Sequence, residues 1–311
     1  MTNQPIILLE TKRNNVTDNC YYGSYYLWSE KEIIKSAGYD QNTVMYLRSL
    51  AKPLQASILC DNNIINDLKL TQKELAVFQG SHSGSPTHIE LLKKILKKHK
   101  LKISDLELIP QVPLDMRGFN NHKTKLHNNC SGKHLMMLIA SKYLGYDLKN
   151  YTNENHPIQK IIYNKQTELS EYKSKYLTYD GCSTPLWGLP VKNIAVAFYN
   201  LFSQKKYHPL INAVLKNPYL YGGYNRLDTE IIQLSKSKLF SKVGAGGFAI
   251  VYNIEKNEIL ILKMTQNNNE ARRLILLDML NKLDWLNTEI KEYELNQKNQ
   301  KTAKIFYEFK I

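Results

Sequence analysis

The chain has 311 residues, of which 43% are hydrophobic, so it can bury a large core and is globular rather than disordered. Its net charge of +14 would suit a nucleic-acid-binding protein, but the lysines are spread along the chain among asparagines, which is typical of a compositional bias. No apolar stretch approaches about 18 residues and the N-terminal apolar run is too short for a signal peptide, so we expect a cytoplasmic protein without a membrane segment.

Short strand patterns begin the chain. The runs 6–10 and 21–28 are rich in β-branched, aromatic and other apolar residues, and asparagine-rich and glycine-containing turns separate them. They predict a small sheet at the start of the fold.

A serine and a lysine three residues apart, Ser49 and Lys52, precede Pro53. Residues at this spacing share a helix face, so a lysine kept neutral by burial can take the hydroxyl proton of the serine. Proline is tolerated in a first helical turn, which predicts that Ser49 lies at or just before a helix N-terminus. The dipole of that helix end would favour a developing anion, so the pattern indicates acyl transfer. Taken alone, the same spacing is more often a solvated helix start.

Helical signals follow Ser49. Residues 71–74 form a capping box, and Ser85 with Pro86 predicts the start of an amphipathic helix whose lysines alternate with leucine and isoleucine. The charged face of this helix is more simply a solvated surface than a phosphate-binding stripe. Between the two helices lies a glycine-flanked loop, 80–84, that contains Ser81.

Two of the four cysteines, Cys130 and Cys182, lie in polar, glycine-containing segments. A thiolate is a ligand suited to zinc, whereas two cysteines so far apart in sequence are more often separate buried thiols. Cys130 begins a predicted helix, 130–145, and Cys182 belongs to a predicted turn, 180–185. We interpret Cys20 and Cys60 as packing residues, and four scattered cysteines are too few for a disulfide scaffold.

The C-terminal part of the sequence predicts a helix at 156–169, a hairpin of strands 248–254 and 258–263, and a helix at 270–286. The stretch 291–304 is polar, and we expect it to be mobile. Residues 305–311 supply one further predicted strand.

Six short motifs occur in a particular order: RSLAKPLQ at 48–55, SHS at 81–83, NCSGKH at 129–134, DGC at 180–182 followed by Pro185, the asparagine-proline to glycine segment 217–223 followed by Arg226, and KVGAGG at 242–247. Together they resemble the rhizobial-type, thermolabile L-asparaginase family over roughly residues 45–285. The resemblance is weakest before residue 40, because the family's glycine-rich strand start and His-Arg pair are absent from 14–24.

The resemblance implies a mixed α/β (α+β) fold, with a central, mainly antiparallel sheet flanked by helices, similar to serine β-lactamases and penicillin-binding proteins. It implies one catalytic domain over 1–285, and we expect 286–311 to be a polar tail. The implied protein is a cytoplasmic homodimer that binds zinc and hydrolyses L-asparagine to L-aspartate and ammonia. We expect neither nucleic acid nor membrane as a partner.

The resemblance also implies roles for residues of this chain. Ser49 would be the nucleophile and Lys52 its base, while Ser81, paired with Lys242, would relay a proton to the leaving ammonia. Two lysines near one serine would lower each other's pKa. The implied zinc ligands are Cys130, Lys133 and Cys182, and a lysine ligand predicts weaker metal binding in acid.

Charge complementarity indicates the substrate contacts. We expect Asp180 to accept the α-ammonium of asparagine, and Arg48 or Arg226 to pair with its α-carboxylate. His134 and Gly246 are further substrate-binding candidates. One alternative is a glutaminase or another amidase or acylase on the same scaffold, since one methylene contributes only about 1–3 kcal/mol to discrimination. The remote alternative is a basic nucleic-acid-binding protein.

Overall fold

The computed structural model describes residues 3–30, 32–61 and 63–311. In chain order its strands are β1 (Ile6–Arg13), β2 (Val16–Ser29), β3 (Glu32–Ala37), β4 (Val44–Tyr46), β5 (Leu177–Tyr179), β6 (Pro185–Pro190), β7 (Leu239–Gly244), β8 (Phe248–Asn253), β9 (Glu258–Met264), β10 (Tyr293–Leu295) and β11 (Lys301–Tyr307).

The helices lie mainly between β4 and β7. They are α1 (Ala51–Ala56), α2 (Ile64–Asp67), α3 (Gln72–Gln79), α4 (Pro86–Lys98), α5 (Ser131–Tyr143), α6 (Pro157–Ser170), α7 (Val191–Ser203), α8 (His208–Lys216), α9 (Pro218–Tyr221), α10 (Leu227–Leu234) and α11 (Asn269–Lys282). Within the described parts of the chain, none of them combines the length and the apolar character needed to cross a membrane.

The main sheet has eight strands in the order β10-β11-β1-β2-β9-β8-β7, with β3 beside β2, and its pairings are antiparallel. The strands β4, β6 and β5 form a second, three-stranded sheet. The long strand β2 pairs with β1 up to Gly23 and with β3 and β9 beyond it. The predicted fold class, a mixed α/β fold with an antiparallel sheet and flanking helices, is confirmed.

Both faces of the main sheet are covered by helices. In β9, Ile259 and Ile261 belong to the apolar cluster that includes α7, whereas Leu260 and Leu262 belong to the cluster that includes α11. Successive side chains of a strand point to opposite faces, so a strand that is apolar throughout is buried on both sides. The predicted hairpin is confirmed as β8 and β9.

The helices before the sheet's C-terminal strands form a third apolar cluster. Thr71 and Glu74 make the predicted capping box at the start of α3. In α4, Leu92, Ile95 and Leu96 are buried while the lysines between them are exposed. This confirms the predicted amphipathic helix.

The C-terminal segment differs from the prediction. We expected a mobile stretch over 291–304 and a strand over 305–311, but β10 and β11 lie at Tyr293–Leu295 and Lys301–Tyr307, and β11 pairs with β1. Ala303 and Ile305 are buried while Lys304 between them is exposed. The lysines on the outer face hid this alternation from the sequence prediction, which also placed the end of α11 four residues beyond Lys282.

Candidate active site

Ser49 lies where the predicted helix begins. A short 3-10 helix, Arg48–Leu50, runs directly into α1. The edge strand β7 packs against this segment, because a side chain at Gly244 would meet Leu50 Cδ1 at 2.7 Å. A residue larger than glycine would therefore force the Leu50 side chain to shift. Among the described residues, no hydrogen bond engages the Ser49 hydroxyl, which leaves it free for a substrate.

Arg48, directly before the serine, has a left-handed backbone with φ of 52°. This conformation costs a non-glycine residue on the order of 1–3 kcal/mol, and such strain is most common at functional sites. The Arg48 side chain donates from Nε to Asp180 Oδ1 at 2.9 Å. This ion pair joins the start of α1 to the turn between β5 and β6.

Lys52, one helical turn after Ser49, is buried, with 1% of its surface exposed. Its Nζ donates to the carbonyl of Gly80 and the hydroxyl of Ser81, both at 2.9 Å, and to the carbonyl of Asn129 at 3.2 Å. These three contacts fix the position of the Lys52 amine. Lys52 thereby ties together α1, the loop at 80–84 and the segment before α5.

Ser81 and Lys242, which the resemblance pairs, share no direct hydrogen bond in the described part of the chain. Ser81 accepts a hydrogen bond from Lys52, whereas Lys242 Nζ lies 3.1 Å from Asp228 Oδ2 and 2.9 Å from the Val243 carbonyl. Burial lowers the pKa of Lys242 to about 8; the charge of Asp228 opposes this shift and the charge of Lys52 adds to it. The charge of Lys52 therefore lowers the pKa of Lys242, as expected for two nearby lysines. The lysine that is hydrogen-bonded to Ser81 is Lys52.

The two cysteines of the sequence motifs meet in the fold. Cys130 lies at the start of α5 and Cys182 lies in the turn before β6. The two Sγ atoms and a carboxylate oxygen of Asp180 lie within 4.8 Å of one another. Lys133, from the first turn of α5, places Nζ 2.9 Å from Cys182 Sγ and 2.7 Å from Thr184 Oγ1.

Charge is divided unequally between these buried groups. The thiol of Cys130 lowers the pKa of Cys182 through a hydrogen bond, against the effect of burial, and the Lys133 cation lowers it further. The same contact raises the pKa of Cys130. Burial disfavours the charge of Lys133, but the two thiols raise its pKa. Two sulfurs and a carboxylate oxygen at this spacing could hold a metal ion.

His134 is fully buried beside the thiol pair. Its Nδ1 is 2.7 Å from the hydroxyl of Tyr151, and its Nε2 has no hydrogen-bond partner among the described residues. Burial lowers the pKa of His134, and the nearby Cys182 opposes that shift. The histidine thus packs behind the thiol pair.

A cavity of about 630 Å³ opens beside Arg48 and Asp180. Gly246, a predicted substrate contact, lines the same cavity, and so does Lys263, which the sequence analysis missed. Lys263 Nζ donates to the carbonyl of Gly246 and, at 2.8 Å, to that of Met264, and burial lowers its pKa. The signal that could have identified Lys263 is a lysine within the apolar run of β9.

Arg226 is the predicted site residue that lies elsewhere. It lines a second cavity of about 800 Å³, which shares no lining residue with the first. Arg226 and Arg48 therefore line different cavities, and the pairing of Arg226 with the substrate α-carboxylate stays a prediction.

The sequence matches the family model described as L-asparaginase II over residues 9–306. No curated protein matches it. Similar solved structures include a beta-lactamase from Mycobacterium bovis, with 13% identity, 85% of this chain and 95% of that chain covered, and a TM-score of 0.44. A class C beta-lactamase from Rhodobacter sphaeroides has 12% identity, coverages of 84% and 94%, and a TM-score of 0.43. A penicillin binding protein from Bacillus halodurans has 11% identity, with 83% of this chain and 96% of that chain covered, and a TM-score of 0.40.

Proposed function

The chain belongs to the L-asparaginase II family, and we propose that it hydrolyses L-asparagine to L-aspartate and ammonia through an acyl-enzyme on Ser49. The observation that carries this proposal is the buried network in which Lys52, one helical turn after Ser49, is hydrogen-bonded to Ser81. A free serine hydroxyl, a buried lysine and a second hydroxyl supply a nucleophile, a base and a proton relay.

In the proposed first step, Ser49 Oγ attacks the side-chain amide carbon of asparagine while Lys52 takes the hydroxyl proton. The tetrahedral intermediate collapses as Ser81 passes a proton from Lys52 to the amide nitrogen. The carbon–nitrogen bond breaks, ammonia leaves, and an ester of Ser49 remains. Water then attacks the ester, giving a proton to Lys52, and aspartate leaves as Ser49 regains a proton.

The charged groups of the 630 Å³ cavity support an amino-acid substrate. We propose that Asp180 pairs with the α-ammonium and that Arg48, now bonded to Asp180, pairs with the α-carboxylate. Lys263 is a second cation on the same wall. The nearest atom to a side chain at Gly246 would be Lys263 Nζ at 4.0 Å, so the wall is open at this position.

An ammonia-release assay on purified protein tests the function. We expect Ser49→Ala to lower kcat by at least about a thousandfold, because the acyl-enzyme can no longer form. Ser104→Ala, at an exposed serine, is the matched control and should match wild type. No ammonia from asparagine, or equal release by Ser49→Ala, would contradict the proposal. Glutamine and short peptide amides, tested alongside asparagine, separate an asparaginase from a glutaminase or a broader amidase.

We further propose zinc as the cofactor, held by Cys130, Lys133 and Cys182. The thiol spacing and the amine beside Cys182 support this proposal, and Asp180 is a further ligand candidate. When bound, the metal would hold the two turns together and orient substrate. Because Lys52 donates to the carbonyl of Asn129, the residue before Cys130, the position of this turn also affects the catalytic lysine.

The quaternary structure and location are proposals that come from the resemblance. We propose a homodimer in the cytoplasm, without a nucleic-acid or membrane partner. All four cysteines are free thiols, which fits a reducing compartment. Light scattering on purified protein measures the mass, and a monomer at micromolar concentration would contradict the dimer.

A further inference from the structure

The larger cavity, of about 800 Å³, lies outside the proposed active site. Its walls come mainly from the segment that leads into α10, from α10 itself and from the first turn of α11. Three arginines line it, Arg226, Arg272 and Arg273.

The arginines of this cavity differ in how their charges are balanced. Arg273 donates from Nε to Glu230 Oε2 at 2.8 Å, so its charge is neutralised. Arg272 Nη1 donates instead to the carbonyls of Gly244 and Phe248, and its Nη2 donates to the amide of Asn269. The Arg226 side chain has neither an ion pair nor a hydrogen bond with any described residue. Two guanidinium groups therefore lack a carboxylate partner.

The two unbalanced charges repel each other. Arg272 is only 6% exposed, and burial lowers its pKa; Asp228 opposes this shift, while Arg226 adds to it. Asp228 is already paired with Lys242 at 3.1 Å. Of the two acids that line the cavity, Glu230 is paired with Arg273 and Glu270 lies 3.8 Å from Lys291. The local charges leave an excess of positive potential that a bound anion would neutralise.

Two helices also begin at this cavity. Leu227, the first residue of α10, and Asn269, the first residue of α11, both line it, and no side chain caps the start of α10. The positive end of a helix dipole adds to the attraction for an anion.

We propose that this cavity binds a small anion, through a phosphate or carboxylate group, between Arg226 and Arg272. The proposal of this anion site does not rest on the proposed amide hydrolysis. The site is coupled to the first cavity, because Arg272 holds Gly244 and Phe248, and Ala245 and Gly246 of the same turn line that cavity. An anion bound to Arg272 thus affects the position of residues that line the first cavity.

Isothermal titration of the full-length protein with inorganic phosphate and, separately, with succinate tests the proposal. We expect saturable binding of at least one probe, with affinity lower by about tenfold or more in Arg226→Gln, because a charge-assisted hydrogen bond is lost. Arg13→Gln, at a surface arginine paired with Asp18, is the matched control and should bind as wild type does. The probe with the higher affinity identifies the anionic group.

Two results would overturn the site: no saturable binding of either probe to wild type, or equal binding by Arg226→Gln. Arg226→Lys keeps the charge and should retain part of the affinity, which separates loss of the site from misfolding. Hydrogen exchange tests the coupling. We expect the bound anion to slow amide exchange over 244–248, and unchanged exchange there would overturn the coupling.

Discussion

Lys52 Nζ lies 2.9 Å from Ser81 Oγ, so one buried lysine connects the serine of the loop at 80–84 to the helix that begins beside Ser49. The same amine holds the carbonyls of Gly80 and Asn129. The proposed base is therefore also a structural link between three segments, and its replacement should affect both catalysis and stability.

Replacing Lys52 by methionine should lower kcat for asparagine by at least about a thousandfold, because the proposed base is lost. It also leaves two carbonyls and a hydroxyl without their donor, each at a cost of roughly 1–3 kcal/mol when buried. We expect a lower melting temperature by calorimetry. Lys97→Met, at an exposed lysine of α4, is the control for charge removal. Wild-type kcat in Lys52→Met would exclude the lysine as base.

The buried Lys242 should make stability depend on alkaline pH. Its pKa falls from 10.5 to about 8 in the folded protein, mainly through burial. Between these values the unfolded chain binds more protons than the folded chain, so this group makes stability rise with pH across that window. Burial of the charged lysine destabilises the folded protein by its full amount below pH 8 and not at all above pH 10.5.

Urea unfolding of wild type and Lys242→Met measures this effect. The variant lacks the titration, so its unfolding free energy relative to wild type should fall by up to about 3 kcal/mol as pH rises through the window. A difference between the two proteins that does not change with pH would show that Lys242 titrates normally in the folded state.

Metal analysis by mass spectrometry tests the thiol site directly. We expect about one zinc per chain in wild type and loss of it in Cys182→Ser, because a hydroxyl is a poor zinc ligand. Cys20→Ser, at a half-buried cysteine of β2, should keep the metal. Full ammonia release by metal-free Cys182→Ser would remove zinc from the mechanism and leave the serine chemistry standing.

Lys263 is a candidate that arises from the fold rather than from a motif. Lys263→Met should lower kcat/KM for asparagine by about tenfold or more, since it removes a cation from the cavity wall. A change mainly in KM indicates contact with the α-carboxylate, and a change mainly in kcat indicates proton transfer. Lys256→Met, at the exposed β8–β9 turn, is the control. Unchanged steady-state constants would exclude Lys263 from the site.

Much of the local structure could be predicted from the sequence, because a helix start or a strand pattern depends on residues within one or two turns. The capping box at Thr71 and Glu74, the apolar face of α4 and the β8–β9 hairpin are of this kind. The last strands escaped prediction because the exposed Lys304 separates Ala303 from Ile305 in β11, and burial comes only from pairing with the distant β1.

The chemical types of the site could be read from the order of residues: a serine and lysine at helical spacing, a second serine in a glycine-flanked loop, and two cysteines in polar turns. Which of these residues meet became known from the folded chain. It bonded Ser81 to Lys52 rather than to Lys242, brought Cys130 beside Cys182, and placed Arg226 in a separate cavity with Arg272. Contacts between residues far apart in the chain depend on strand order and helix packing, which the residues around each motif do not encode.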